Sequence, residues 1–305
     1  TYIWTDTSLF TMRFIGQPLT FGFQQVGTNC GLIGQNAALE VDGAAYWLSE
    51  NGFFRYSGSL ETMTCLVEDF VYNDLNTTAN QLINVGLNNL FGEITWFYCT
   101  ESSTVVNRCV TYNYQDSSPQ RPVWTTGTLA RGSWTDSSVF GLPHATFFNA
   151  SDDASFDVQG NTEGSTIYFE HEKGTDEALA NGVTAITSNI ESGDFDITQA
   201  RSSTGQQTGV ATFKGDGEFL MKIRRFIPDF LSQTGNTQVT LQLRNYPNSS
   251  QASSPLGPFT ITSSTDKVDT RARARAISLK VANTAVGQSW KLGTFRLDTQ
   301  PDGRR

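Results

Sequence analysis

The sequence is poor in the residues that build metal and thiol sites. It has four cysteines (Cys30, Cys65, Cys99, Cys109) and two histidines (His144, His171), none paired at CxxC or HxxxH spacing. No zinc site is expected on that count, nor any other metal or cofactor. Long apolar runs are also lacking. No stretch approaches the roughly 20 apolar residues that a membrane-crossing helix requires, so no membrane span is expected. Positive charge is scarce, with 21 Lys and Arg against 30 Asp and Glu and a net charge of −9. Such a chain is a poor sequestering binder of nucleic acid, because phosphate binding depends on cations that release counterions. It can still surround DNA without gripping it.

What is abundant is strand-forming sequence: 21 Phe, 9 Tyr and 6 Trp, with many Thr and Val, cut at short intervals by Gly, Asn, Asp and Ser. That pattern predicts an all-β chain. The turn signals Asp42-Gly43, Asn51-Gly52 and Gly58 divide 37–66 into four short antiparallel strands. A second set is expected at 81–87, 93–99, 107–113 and 122–128. Each set carries an aromatic cluster on its second strand, Tyr46-Trp47 and Trp96-Phe97-Tyr98, and Phe147-Phe148 follows. The spacings, 49 residues from Trp47 to Trp96 and 52 from Trp96 to Phe148, match a four-stranded propeller blade repeat. The alternative is a meandering sandwich whose aromatic runs are core. Upstream, 2–4, 9–14 and 19–25 supply three strands, one short of a blade, which predicts missing sequence or a partner strand for 2–4.

Residues 183–305 alternate more cleanly, with Val239, Leu241 and Leu243 on one face. In 270–281 the apolar parity changes at Ala276, and in 290–297 it changes at Gly293; both predict β-bulges. The expectation is therefore a propeller-like domain over 1–182, a linker at 174–182 and a β-sandwich-like domain over 183–305. Charge divides with it: net −14 on 1–182 and +5 on 183–305.

Several strings, GQNAALEVDGAAYW at 34–47, EITWFY at 93–98, ESGDFD at 191–196, IPDF at 227–230 and PDGRR at 301–305, together resemble the tail nozzle or hub proteins of short-tailed bacteriophages. These are also described as tail tubular protein B or packaged-DNA stabilisation proteins. The resemblance touches most of the chain and implies a propeller-like domain beside β-rich platform domains in a hexamer, a ring below the portal and adaptor. It also implies a virion location, assembly in the host cytoplasm, and a channel that retains double-stranded DNA and conducts it on ejection. Family members are longer than 305 residues, and no binding residue transfers position by position.

Catalytic constellations are not supported. The densest acidic clusters, Asp152-Asp153-Asp157 and Asp194-Asp196, lie among Gly, Ser and Asn, where Asp serves turns. His144 and His171 lack a nucleophile elbow, and Gly215-Asp216-Gly217 reads as a hairpin turn rather than a phosphate loop. Cys99 and Cys109 flank a hairpin loop, where a disulfide is conceivable and a reduced, buried pair is expected. Arg271, Arg273 and Arg275 recur with period 2, which places them on one face of one strand. They read as a solvated face or as a subunit interface with the acidic half of a neighbour. Three function classes follow: a structural conduit of a phage tail, a carbohydrate- or receptor-binding tail module, and a glycosidase-like propeller. The first is the expectation, with no enzymatic activity.

Overall fold

The computed structural model describes residues 1–136, 139, 141–148, 166–179, 182–201, 207–212, 219–246 and 254–303. The chain divides into two compact units, Thr1–Lys173 and Gly174–Arg305. Counted over these units, 6 basic and 18 acidic side chains give −12, and 15 and 12 give +3.

The first unit is a series of small antiparallel sheets. Strands β1 (Tyr2–Trp4), β2 (Ser8–Gly16) and β3 (Thr20–Thr28) form one, with β2 central. Strands β4 (Ala38–Val41), β5 (Ala44–Ser49), β6 (Gly52–Tyr56) and β7 (Leu60–Thr62) form a four-stranded meander. The Asp42-Gly43 turn has positive φ at both residues, 52° and 76°, as a type I′ hairpin demands. The next turn sits one residue earlier than Asn51-Gly52 suggests, because Ser49 pairs with Gly52 and leaves Glu50-Asn51 as the loop. A short helix, α1 (Glu68–Asp74), and a 3-10 segment at Thr77–Leu82 follow.

The meander then repeats as β8 (Asn84–Asn88), β9 (Glu93–Tyr98), β10 (Arg108–Asn113) and β11 (Trp124–Gly127). A three-stranded sheet of β12 (Ser133–Thr135), β13 (His144–Phe148) and β14 (Thr166–Glu170) closes the unit.

Consecutive sheets share cores in chain order, and alternation along each strand explains how. On β5, Trp47 joins Leu9 and Cys30 in one cluster, whereas Tyr46 and Leu48 join Ile94, Trp96 and Tyr98 in another. On β9, Trp96 faces back to the second sheet while Phe97 faces on, stacked on Trp134 at 5.7 Å. The indoles also tie neighbours together by hydrogen bonds. Trp47 Nε1 donates to Cys30 O at 2.8 Å, Trp96 Nε1 to Ala37 O at 2.9 Å and Trp134 Nε1 to Leu87 O at 2.8 Å. A buried indole needs such an acceptor. Trp47 and Trp96 are thus equivalent repeat positions. In the next sheet the second strand, β13, carries Phe147-Phe148, of which Phe147 is buried and Phe148 is 55% exposed, while the indole that meets Phe97 is Trp134 of the neighbouring strand β12. Gly86 makes the Trp134 contact possible, since a Cβ there would lie 2.5 Å from the indole.

The second unit opens on β15 (Asp176–Leu179) and β16 (Gly182–Ala185), a hairpin where a linker was expected. After β17 (Ser188–Glu191) and the paired β18 (Thr198–Arg201) and β19 (Gln207–Thr212) come β20 (Met221–Ile227), β21 (Phe230–Thr234), β22 (Thr237–Arg244) and β23 (Ser254–Ile261). The chain continues with β24 (Val268–Ala274), β25 (Ala276–Asn283), β26 (Ser289–Leu292) and β27 (Arg296–Pro301). Two sheets, in order β17-β25-β22-β23 and β24-β20-β27, share one apolar core. Met221, Ile223, Phe226 and Ala272 from one meet Val239, Leu241, Ile277 and Val281 from the other.

The two expected bulges are corrected by this arrangement. The parity change at Arg275-Ala276 is where the chain leaves the β24 sheet for the β25 sheet, so inward-facing positions are reset. The change near Gly293 likewise separates β26, which pairs with β21, from β27, which pairs with β20.

Candidate functional site

A polar cleft of about 290 Å³ is lined by Tyr46, Arg55, Glu61, Tyr112, Tyr114 and Ser117, among others. Strand register builds it: Tyr46 on β5 pairs with Arg55 on β6, and Arg55 pairs with Glu61 on β7. Arg55 Nε donates to Tyr46 Oη and Nη1 to Glu61 Oε2, both at 3.1 Å. Tyr112 of β10 sets its ring 6.2 Å from that of Tyr46, and Tyr114 Oη donates to Asn89 Oδ1 at 2.9 Å. Burial pushes the Tyr112 and Tyr114 phenols up from their ordinary value, so both are neutral at pH 7. Aromatic faces beside a balanced Arg-Glu pair suit one small, neutral, hydroxylated molecule. No Ser-His or Cys-His couple lines the cleft. Sequence reading missed this group because its members are spread from Tyr46 to Ser117 and the two ends of that span meet only through the fold.

The expected arginine row is broken. Arg271 and Arg273 alternate with the buried Ala272 and Ala274 on β24 and are exposed, but Arg275 lies at the corner between β24 and β25. Arg273 Nε already binds Asp302 Oδ2 at 2.5 Å. Lys222, which pairs with Arg273, and the exposed Arg224 and Arg296 of β20 and β27 broaden the basic surface, with Arg225 bound to Asp269 at 2.6 Å.

Asp194 is held by Arg244 at 3.1 Å, a structural ion pair, while Asp152, Asp153, Asp157 and the Gly215-Asp216-Gly217 turn lie outside the described residues. Cys99 and Cys109 are buried free thiols, each pushed up to about 11 by burial. Among the described residues no three His, Cys, Asp or Glu side chains gather to hold a metal, and no helix is long and apolar enough to cross a membrane.

Both histidines are engaged by neighbouring side chains. The buried His144 stacks on Tyr168 and shares a hydrogen bond with its hydroxyl. His171 Nε2 accepts from Arg131 Nε at 2.9 Å, which leaves the proton on Nδ1. Burial first, and then the Arg131 charge, pushes this imidazole down to about 4. The unfolded chain therefore takes up the proton first, near the ordinary 6.5. Stability from this site is full above pH 6.5 and is lost as pH falls toward 4, by about 3 kcal/mol at the ceiling. Unfolding midpoints measured across this window are expected to fall more steeply for the wild type than for His171→Gln. Parallel curves would refute the assignment.

A scan against models of protein families matches none of them, and a search of curated proteins gives no match.

Proposed function

We propose that the protein is a structural component of a short bacteriophage tail, a subunit of a ring-shaped nozzle or hub that retains packaged DNA and conducts it during ejection. The observation that carries this reading is the recurrent four-stranded meander, with Trp47 and Trp96 in equivalent places, followed by a separate antiparallel two-sheet unit. Repeated sheets in face-to-face succession are what propeller-like blades require, and the strings at 34–47 and 93–98 that resemble the nozzle family lie on them. The electrostatics agree. A wall carrying the −12 unit repels phosphates, which keeps DNA mobile within a channel. A hexamer, with portal-adaptor and other tail proteins as neighbours, is the assembly that the resemblance implies.

A cryo-EM reconstruction of the intact particle tests the reading directly. The chain is expected as a ring on the axis below the portal, and its absence from purified virions would overturn the proposal. The basic surface around Arg271, Arg273 and Arg275 is assigned to the interface with an acidic neighbour. Charge there sets orientation and encounter rate more than affinity. Changing the three to Glu is expected to slow ring assembly most at low salt, read as oligomer mass against ionic strength. Unchanged assembly at all salt concentrations would leave this surface merely solvated.

The Tyr46-Arg55-Glu61 cleft favours a second reading, a carbohydrate- or receptor-binding tail module. Calorimetric titration with simple sugars separates the two, since a conduit needs no such binding.

A further inference from the structure

Strands β2 and β3 extend well beyond the core that anchors them. At their base Leu9, Val26 and Cys30 pack with Trp47, and Gly27 leaves room for Leu60, whose Cδ2 would lie 2.3 Å from a Cβ there. Strand β1 covers β2 only from Leu9 to Thr11. Past Met12 the two strands form a bare ribbon, a structure that is marginally stable by itself.

Its tip is apolar in water. Phe14 is 73% exposed, Ile15 56%, Leu19 72%, Phe21 47% and Phe23 65%. Register places Phe14 opposite Phe21 and Met12 opposite Phe23, so these four share one face, and the Phe14 and Phe21 rings meet edge to face at 6.0 Å. Charge is nearly missing: Arg13 is the single charged residue between positions 7 and 39. Native edge strands are usually blunted by Lys, Pro or a cover. Strand β3 has β2 as its one partner among the described residues and carries no charge over nine residues.

We propose that this arm docks on the arm of a second copy of the chain. The area supports a second copy: Phe14, Phe21 and Phe23 on one face, with Leu19 at the turn, present roughly 500 Å² of apolar surface per copy, and two such stripes bury ~1,000 Å², the size of a weak specific interface; Ile15 lies on the other face, over Gly22. Charge supports it as well, because two copies at −9 each repel over most of their surface but not along an arm whose one charge is Arg13. A lipid bilayer is a poorer occupant. The open β3 edge has backbone N–H and C=O groups that hydrocarbon would leave unpaired, whereas another strand edge satisfies them. The inference rests on the arm alone and not on the tail reading.

Analytical ultracentrifugation of the full chain tests it. Above the 33.5 kDa monomer, mass is expected to rise with concentration. Phe21→Ser/Phe23→Ser and, independently, Leu19→Asp should weaken association about tenfold or more, while Phe91→Ser, exposed elsewhere on the same unit, should not. Circular dichroism verifies that each variant is folded. A wild type that stays monomeric at ~100 µM, well above the Kd expected of a specific contact, overturns the proposal. So does association that survives both arm variants, or flotation of monomers with phosphatidylcholine vesicles.

Discussion

Replacing Trp96 with alanine is expected to destabilise the Thr1–Lys173 unit by about 3–5 kcal/mol, a large share of the 5–15 kcal/mol that holds a typical domain. The side chain is fully buried and lies in the core shared by the second and third sheets. Its ring packs 5.1 Å from Phe53 and 6.2 Å from Trp124, so truncation opens a cavity between residues fixed on different strands, which cannot collapse freely. The indole also donates to Ala37 O at 2.9 Å, a carbonyl that keeps its bond from Leu48 N–H at 3.2 Å, so the lost bond adds less than the cavity does. Trp96→Phe should retain most of the packing but not that bond, and so fall between wild type and alanine. Chemical denaturation followed by near-ultraviolet circular dichroism measures the effect. The unit built on Phe226 and Val239 has its own core, so its transition should stay in place. A loss below about 1 kcal/mol for Trp96→Ala would mean that the two meanders do not share a tight core.

Gly31→Ala is expected to be nearly as damaging although it adds one methyl group. A Cβ at Gly31 would lie 2.0 Å from Asp6 O, 2.2 Å from Asp6 C and 2.5 Å from Thr7 N. These are backbone atoms, so no rotamer change relieves the clash and the chain itself must move. Moving it breaks the adjacent clasp, in which Cys30 N–H donates to Thr7 O at 3.2 Å and Leu32 N–H to Thr5 O at 3.1 Å. A cost of about 3 kcal/mol follows, at the upper end of overpacking, together with faster amide exchange in β1 and β2. Gly132→Ala is the matched control, because its nearest neighbour would be Thr146 O at an ordinary 3.7 Å. Equal melting temperatures for the two variants would contradict the close approach at Gly31.

The strands and most of their turns were legible in the sequence because both are local. Alternation with period 2 and the Asp42-Gly43 pair depend on neighbouring residues alone, and the observed 44–49 strand and positive φ values follow. The Trp47 and Trp96 repeat was legible for a related reason: equal position in a repeated unit produces equal spacing. The Phe147-Phe148 pair also falls on a second strand, β13, but aromatic identity does not say which ring faces the core: Phe147 is buried and Phe148 is exposed. A change of parity is equally ambiguous from within one strand. A bulge and a passage from sheet to sheet produce the same pattern, and only the partners of β24 and β25 distinguish them; the same passage removes Arg275 from the expected row.

The cleft was illegible because Tyr46, Arg55 and Glu61 become neighbours through register across three strands. The arm was illegible because Phe14, Phe21 and Phe23 look like core residues wherever they occur. Composition and periodicity thus determined that the chain forms short antiparallel strands in two electrostatically unlike parts. Which faces are covered, which edges stay open and which side chains converge was decided by tertiary structure, since exposure and proximity depend on residues far away in the chain.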